Sequence, residues 1–487
     1  MRILVVAHAL PPDGIGGTER YAEAVATGLA ARGHEVAAFC GSLKWGERFE
    51  VDRGEFGGPS GGLPRLPLLR VHRSDLYFDH WDKVHEPRVA KEFEQELARS
   101  RPDVVHLHHW IRLSDDLVRR AAARGVPTVV HLHDLFVTCP RVFRLRPDAA
   151  PGAAKDDLVG CDEPLGRAAC LDCVPRWPFQ TDAEIGASID HYAAGLRAEL
   201  AAAATRIAPS RSHARQLALH TAMGDGAFEV LGHPRLPGGI QGPGRDAKSP
   251  AGRLALLYFS QLAPMKGVHL LLDAVRRVGS GVSLDLHGGF AGEEHEARLR
   301  AHAAGLDVRF HGAYSGDEPS STAADVAVIP TLARESWSFW LDEAGRLGLP
   351  ILAAAAGAIA DRATARVRLV PVGDVGALAA AIAELRDDPS RRRALAAGPA
   401  PAAMELDDHL ARLEALLADA VKRGAPRVAP RPDPAALVHD WDRREQAFRA
   451  LLLEQEREQA LARQQSEIER LKRELADLRA GKGRERA

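Results

Sequence analysis

Two glutamates stand eight residues apart in the segment PTLARESWSFWLDEAGRLGLPILA. Glu335 lies in the loop after the apolar run DVAVIP, a predicted strand, and Glu343 lies on the predicted helix that follows. Carboxylates accept hydrogen bonds, so Glu335 could hold sugar hydroxyls and Glu343 the two vicinal hydroxyls of a ribose. Between them, Ser336 and Ser338 can cap the helix, whose free amides and positive end suit a diphosphate. The segment is typical of a binding site for a hydroxyl-rich, anionic ligand.

A lysine, a glycine pair and a histidine lie at other predicted strand ends. Lys266 opens a helix after the run LALLYFS, Gly16 and Gly17 form the first strand-to-helix turn, and His133 ends the run PTVVHLH. Glycines let a ligand approach the backbone closely, and a lysine supplies a point charge. Each residue also has an ordinary alternative. Glutamates that flank a helix start are usually solvated, a solvated lysine is the alternative for Lys266, and such a histidine usually makes a structural hydrogen bond.

Four of the five cysteines cluster in an insertion at about 139–180. Cys170 and Cys173 form a Cys-x-x-Cys pair, which Cys139 and Cys161 could complete to a tetrahedral thiolate site. A structural zinc would explain how a stretch this long and this poor in core-forming residues holds together. Buried or adventitious thiols are the alternative. Because Cys139 follows His133 closely, we expect the insertion to border the same cleft.

The elements that must position these residues repeat a strand, turn and helix order in two halves. Such alternation predicts an α/β fold with two doubly wound parallel sheets, whose ligands bind at the carboxyl ends of the strands. A glycine- and proline-rich stretch at 232–252 predicts the boundary between domains at 1–235 and 236–400. Another such stretch, at 54–67, is predicted to be a loop without packed elements. Residues 401–487 are predicted to be a helical tail.

The tail becomes charged and helical from about residue 435. Leu461, Ile468 and Leu475 are seven residues apart, and Leu471 and Leu478 are offset from them by three. This spacing predicts a short coiled coil suited to self-association or to a partner helix. A solitary amphipathic helix is the alternative.

Charge and hydropathy exclude several classes of protein. Lys+Arg number 64 against 66 Asp+Glu, so no overall charge draws the chain to nucleic acid or to an anionic membrane. The opening MRILVVAHALPPDGIGG predicts a strand and not a signal peptide, and no uncharged apolar stretch reaches about 18 residues. We therefore expect a cytoplasmic protein with no nucleic-acid partner, one that could still contact the inner face of a membrane peripherally.

The motifs together resemble family 4 glycosyltransferases over 1–389. The segment from Glu335 to Glu343 is similar to the family's Glu-x7-Glu motif, and Lys266-Gly267 is similar to its lysine-glycine pair. The turn GIGGTERY resembles the family's amino-terminal signature, and VVHLHDLF, with His133-Asp134, its strand ending in His-Asp. The resemblance implies a GT-B fold, in which two Rossmann-like domains face a cleft. The first would bind the acceptor and the second the nucleotide sugar.

The activity that the resemblance implies is retaining transfer of a sugar from a nucleotide-diphosphate sugar to an acceptor glycan or lipid-linked saccharide, in cell-surface polysaccharide synthesis. It implies catalytic roles for His133, beside the reacting sugar, and Glu335, with donor binding by Gly16, Gly17, Lys266, Ser336, Ser338 and Glu343. No cofactor is required for the transfer. One departure is Gln261, where the family often has an arginine, so donor binding is expected to be either weaker or compensated by another basic residue such as Arg334.

A second class of enzyme and a non-enzymatic role stay open from the sequence. A nucleotide-sugar epimerase or a glycan phosphorylase can use the same architecture, although the Lys-Gly and Glu-x7-Glu motifs argue against the first and no cofactor-lysine context supports the second. A non-catalytic scaffold with a GT-B fold is favoured only by Gln261. The sugar, the base and the acceptor are not specified by these motifs.

Overall fold

A computed structural model describes residues 1–14, 16–57, 64–150, 157–224, 226–237, 240, 253–314, 318–428 and 435–484. The strands are β1 Arg2–Ala7, β2 Glu35–Gly41, β3 Glu50–Phe56, β4 Leu66–His72, β5 Val104–Leu107, β6 Thr128–His131, β7 Leu145–Pro147, β8 Leu158–Gly160, β9 Thr205–Ala208, β10 Glu229–Val230, β11 Leu254–Phe259, β12 Val282–His287, β13 Val308–Gly312, β14 Val326–Ile329, β15 Ile351–Ala354 and β16 Val367–Val370. The helices are α1 Gly17–Ala31, α2 Pro87–Ser100, α3 Leu117–Ala123, α4 Arg167–Cys170, α5 Asp182–Ala202, α6 Arg211–Thr221, α7 Val268–Val278, α8 Glu293–His302, α9 Phe339–Arg346, α10 Ala358–Arg362, α11 Val375–Asp387, α12 Pro389–Ala397, α13 Leu406–Arg423 and α14 Ala435–Arg484.

The first sheet has the order β10-β9-β6-β5-β1-β2-β4-β3. Its strands pair in parallel except for β3, which runs antiparallel to β4. The expectation that 54–67 forms only a loop is therefore wrong at both ends, because Gly54 and Pro67 lie in these paired strands. Residues 58–63 lie outside the described part. Strand-favouring residues, Val51 and Phe56 on β3 and Val71 on β4, support this β-ladder despite the flanking glycines.

The second sheet has the order β13-β12-β11-β14-β15-β16 and is parallel throughout. Its central strands β11 and β14 are apolar runs that are buried along their whole length, as expected for a sheet covered on both faces. In each sheet the chain order reverses at one strand, β1 in the first and β11 in the second. Ligands of open α/β sheets bind at such reversal points, next to the carboxyl ends of the strands.

The proposed domain boundary falls between the two sheets, since β10 ends at Val230 and β11 begins at Leu254. Helix α13, although it lies after residue 400, packs against α1 and contributes Leu410, Leu413 and Leu417 to the core of the first half. A Cβ on Gly28 would come within 2.6 Å of Leu410 Cδ1, so the glycine permits this close helix packing. The end of the second half is thereby fastened to the first.

The long helix α14 is anchored at its start and exposed beyond it. Buried Arg444 pairs with Asp82 at 3.3 Å, and the ring of Phe448 lies 4.7 Å from that of Tyr77 and 4.5 Å from that of Trp177. This confirms the predicted carboxyl-terminal helix, whereas the coiled coil stays a prediction. Among the described residues, no helix is long and apolar enough to cross a bilayer.

Candidate active site

A cavity of about 670 Å³ lies between the two halves, lined by residues that follow β1 and β6 of the first sheet and β11, β12, β13 and β14 of the second. All eight residues that the sequence predicted for catalysis and donor binding line it, so the structure brings them together from both halves. They are Gly16, Gly17, His133, Lys266, Glu335, Ser336, Ser338 and Glu343.

Lys266 and Glu335 form an ion pair inside this cavity. Lys266 Nζ lies 2.9 Å from Glu335 Oε1, which also accepts a hydrogen bond of 3.0 Å from Thr331 Oγ1. Gly267 has φ +73°, and a Cβ there would lie 2.0 Å from the carbonyl oxygen of Pro330. Only glycine fits this close approach, which brings the lysine turn against the end of β14.

Glu343 lies on α9, whose amino-terminal end faces the same cavity. Ser338 caps the helix as predicted, because its hydroxyl accepts from Leu341 N at 3.4 Å. Burial raises the pKa of Glu343, an effect opposed by Arg20 and Arg346. The guanidinium groups of these arginines lie 3.9 Å and 4.0 Å from the carboxylate, beyond hydrogen-bond length. Glu343 therefore keeps lone pairs for a ligand.

Ser336 does not cap the helix as the sequence suggested. Its hydroxyl donates to the backbone carbonyl of His133 at 2.5 Å, so it joins the loop before α9 to the loop after β6. This contact spans the two halves of the molecule. It fixes the Glu335 loop directly against the residue that is expected to lie beside the reacting sugar.

His133 belongs to a buried cluster of imidazoles. Its Nε2 lies 2.9 Å from His108 Nδ1, and its Nδ1 lies 3.2 Å from His233 Nε2. Burial lowers the pKa of His133, His108 and His233 well below the ordinary value, and neighbouring histidines contribute for His108 and His233. These rings are therefore neutral near pH 7. His133 can donate or accept a hydrogen bond, but it brings no positive charge to the cavity.

The cluster continues into the core through Tyr21. Its hydroxyl lies 3.1 Å from His131 Nδ1 and 2.7 Å from His409 Nε2, which joins α1, β6 and α13. Among the described residues, two groups bring three ligand atoms within 4.8 Å of one another and could hold a metal ion. They are His131, His133 and His233, and, away from the cavity, His85, Asp115 and His191.

The predicted zinc ligands are not among these groups. All four are free thiols that lie close enough to influence one another electrostatically, but no three of the described sulfurs come within 4.8 Å. Two arginines organise the insertion around them. Arg141 donates to the carbonyl of Cys173 at 3.0 Å, and buried Arg144 donates to the carbonyl of Cys161 at 3.1 Å. Zinc binding stays a prediction.

Arg334 does not compensate for Gln261. Its guanidinium donates to Gln216 at 2.5 Å and to Asp162 at 2.6 Å, and it lines a second cavity of about 900 Å³. This second cavity lies between α6, α7 and the hairpin of β7 and β8. The side chain that enters the first cavity is Arg20, on the first turn of α1.

Two family profiles match this chain. The profile described as Glycosyltransferase Family 4 matches residues 15–157, and that described as Glycosyl transferases group 1 matches residues 253–388. Together the two matches cover more than half of the chain. The protein is a family 4 glycosyltransferase.

Solved structures share the fold of this glycosyltransferase at low sequence identity. Sucrose-phosphate synthase from Thermosynechococcus elongatus has a TM-score of 0.60 and 18% identity, over 87% of this chain and 96% of its own. HepE from Anabaena, in complex with UDP, has a TM-score of 0.54 and 18% identity, over 86% of this chain and 100% of its own. The catalytic domain of starch synthase IV from Arabidopsis thaliana has a TM-score of 0.55 and 14% identity, over 86% of this chain and 99% of its own. The fold is GT-B. A search of curated proteins returned no match.

Sequence reasoning missed several residues of this glycosyltransferase cavity. His233 comes from the predicted linker, Tyr314 from the end of β13, and Arg20 from the first turn of α1. For Tyr314 a signal existed, because the loop after FHGAY follows a strand end of the second sheet. His233 carries no comparable signal, since a linker histidine has no strand or helix pattern around it.

The cluster of this glycosyltransferase predicts an unusual pH response. Neither ring nitrogen of fully buried His106 has a hydrogen-bond partner in the described residues, and burial, with a smaller effect of His409, lowers its pKa to about 3. The unfolded chain therefore binds more protons as the pH falls from 6.5, which weakens folding. In His106→Leu we expect stability at pH 7 to be unchanged or higher. Between pH 7 and 5 the variant should lose about 2 kcal/mol less than the parent.

Urea unfolding at both pH values measures this difference. Parallel losses in parent and variant would contradict the assignment of a depressed pKa to His106.

Proposed function

We propose that this glycosyltransferase moves a sugar from a nucleotide-diphosphate sugar to a hydroxyl of an acceptor glycan or lipid-linked saccharide, with retention of anomeric configuration, in cell-surface polysaccharide synthesis. The observation that carries the proposal is the content of the 670 Å³ cavity, where two carboxylates and two cations meet the amino-terminal end of α9. Such a set suits a ligand that carries both hydroxyl groups and phosphates.

Each group has a task that follows from charge. Breaking a sugar–phosphate bond develops positive charge at the anomeric carbon and negative charge on the leaving diphosphate. Lys266, the free amides of α9 and the turn at Gly16 and Gly17 would stabilise that diphosphate. Glu335 would accept hydrogen bonds from the sugar, and Glu343 from the ribose.

Retention is supported by what the carboxylates are already doing. Glu335 is bound to Lys266 and Thr331, and Glu343 faces Arg20 and Arg346. With the donor bound, both carboxylates would accept hydrogen bonds from its hydroxyls, and His133 has both ring nitrogens in contact with other histidines. The departing diphosphate is then the base nearest to the acceptor hydroxyl. When the departing phosphate oxygen takes the proton of the acceptor hydroxyl, the acceptor oxygen attacks the anomeric carbon from the face that the phosphate leaves. The anomeric configuration is then retained.

The fold neighbours support a nucleotide as the donor's leaving group. HepE was solved with UDP and with UDP-glucose, and starch synthase IV with ADP and acarbose. Membership of a glycosyltransferase family disfavours the epimerase alternative. The scaffold alternative predicts a protein that folds but does not turn over, so turnover separates it from the enzyme.

Removing Glu335 tests the catalytic assignment. We expect Glu335→Ala to abolish transfer and Glu335→Gln to lower turnover by at least about 100-fold, while both keep the fold and bind nucleoside diphosphate. Lys266→Ala should instead lose nucleotide binding. A thermal-shift screen first identifies the nucleotide, since binding to the native state raises the melting temperature. Release of nucleoside diphosphate then measures turnover.

The surface variant Glu384→Gln is the matched control, and its turnover should equal that of wild type. Equal turnover in wild type and Glu335→Ala would overturn the assignment.

We also propose a structural zinc in the insertion. Cys139, Cys161, Cys170 and Cys173 offer four thiolates, the ligand set of closed structural zinc sites, and bound metal would draw the sulfurs together. Burial raises the pKa of Cys139 to about 11, so a metal is what would keep that thiol deprotonated.

Metal analysis of the purified chain should find about one zinc per molecule. The variants Cys170→Ser and Cys173→Ser should lose it, and Cys40→Ser, a buried cysteine on β2, should keep it. Less than a tenth of an equivalent in wild type would refute the proposal. Zinc that survives in the cysteine variants would refute it equally.

We propose further that α14 pairs with α14 of a second copy. Leu461, Ile468 and Leu475 are about half exposed, and they lie beyond the anchored start of the helix. Their spacing repeats every seven residues, and an identical partner presents the same seam.

Light scattering should give the mass of a dimer for wild type and of a monomer for Leu461→Lys/Ile468→Lys. Leu453→Lys changes an equally exposed leucine outside the seam and should stay dimeric. A monomeric wild type at micromolar concentration would exclude this pairing.

A further inference from the structure

The donor cavity is electrically balanced before any ligand enters. Among the described residues that line it, Lys266 and Arg20 carry positive charges and Glu335 and Glu343 carry negative ones. A nucleoside diphosphate adds at least two negative charges. With Gln261 neutral, Lys266 alone would face this charge from the second half, and it is already paired with Glu335 at 2.9 Å. The diphosphate therefore needs a second cation.

Arg20 is the cation that the geometry places within reach. It follows the turn at Gly16 and Gly17 on α1, and a Cβ on Gly17 would lie 3.0 Å from Phe339 at the start of α9. Its side chain is about one-third exposed, lies 3.9 Å from Glu343, and donates a long hydrogen bond of 3.4 Å to the carbonyl of Pro237. A guanidinium held so loosely can turn toward a new anion at little cost.

Two other arginines near the site, Arg334 and Arg346, do not line the donor cavity. Arg334 is bound to Gln216 and Asp162 in the second cavity. Arg346 approaches Glu343 at 4.0 Å but does not line the donor cavity. Arg346 is a second positive neighbour of Glu343. Arg20 can therefore move away while the Glu343 carboxylate still has a cation beside it.

We propose that Arg20, from the first half of the molecule, binds the donor diphosphate and supplies the positive charge that Gln261 lacks. The inference rests on the proposed function. When the donor enters, ribose hydroxyls take the place of Arg20 at Glu343, and sugar hydroxyls take the place of Lys266 at Glu335. Both cations then turn to the phosphates. The diphosphate then lies between cations from both halves, Arg20 from the first and Lys266 from the second.

Calorimetric titration with UDP, ADP, GDP and CDP, and with the nucleoside of the tightest binder, tests this role. Arg20→Ala should lower the affinity for the diphosphate about tenfold and keep the affinity for the nucleoside within about twofold of wild type. Arg20→Lys should recover part of the loss. Arg32→Ala, which removes an arginine at the far end of α1 that pairs with Glu414, should leave diphosphate binding within about twofold. In the Arg20→Ala background, Gln261→Arg should restore it, since Gln261 lines the same cavity.

Wild-type diphosphate affinity in Arg20→Ala, with binding lost in Lys266→Ala, would overturn this inference and leave the proposed function standing. An equal loss for nucleoside and diphosphate would also overturn it, because Arg20 would then act on Glu343. No binding of any nucleoside diphosphate by wild type would overturn the proposed function itself.

Discussion

The hydrogen bond from the Ser336 hydroxyl to the His133 carbonyl joins the two halves of the molecule at the floor of the cleft. Neither half alone holds a complete site. The second sheet supplies Lys266, Glu335 and Glu343, and the first supplies His133, Arg20 and the glycine turn. The carboxyl ends of strands from both sheets bring these groups near, and the contact at 2.5 Å fixes the Glu335 loop against the loop after β6. Helix α13 reinforces it by returning to the core of the first half.

Behind that contact, the histidine cluster holds the end of β6 without adding charge to it. Imidazoles at 0–7% exposure stay neutral because burial penalises the protonated ring, and they bond to one another and to Tyr21. A charged residue in place of His133 would compete with Lys266 for the diphosphate or repel the cation that forms at the sugar. A neutral ring avoids both effects. The charge of the cavity therefore comes from the four ionisable side chains Arg20, Lys266, Glu335 and Glu343.

Sequence reasoning selected residues that line one cavity because their signals are local. Glu335, Ser338 and Glu343 stand within one loop-helix junction, and Lys266 directly follows a strand. It failed where position depends on distant segments. Arg334 adjoins Glu335 in the chain, yet their side chains enter different cavities, because neighbours in an extended segment point to opposite sides. Arg20 is more than 300 residues away in sequence and reaches the cavity only through the pairing of two sheets.

The same alternation of side chains links the cysteine insertion to catalysis. Arg334 is fixed by Asp162 of the insertion and by Gln216 of α6, and the next residue is Glu335. The carbonyl of Glu335 in turn accepts from Ala358 N at 2.8 Å, so the loop has little freedom to move by itself. A shift of the insertion therefore acts on Arg334 first and on the Glu335 backbone next. The order of the insertion therefore bears on the position of the Glu335 backbone, although no thiol lines the donor cavity in the described residues.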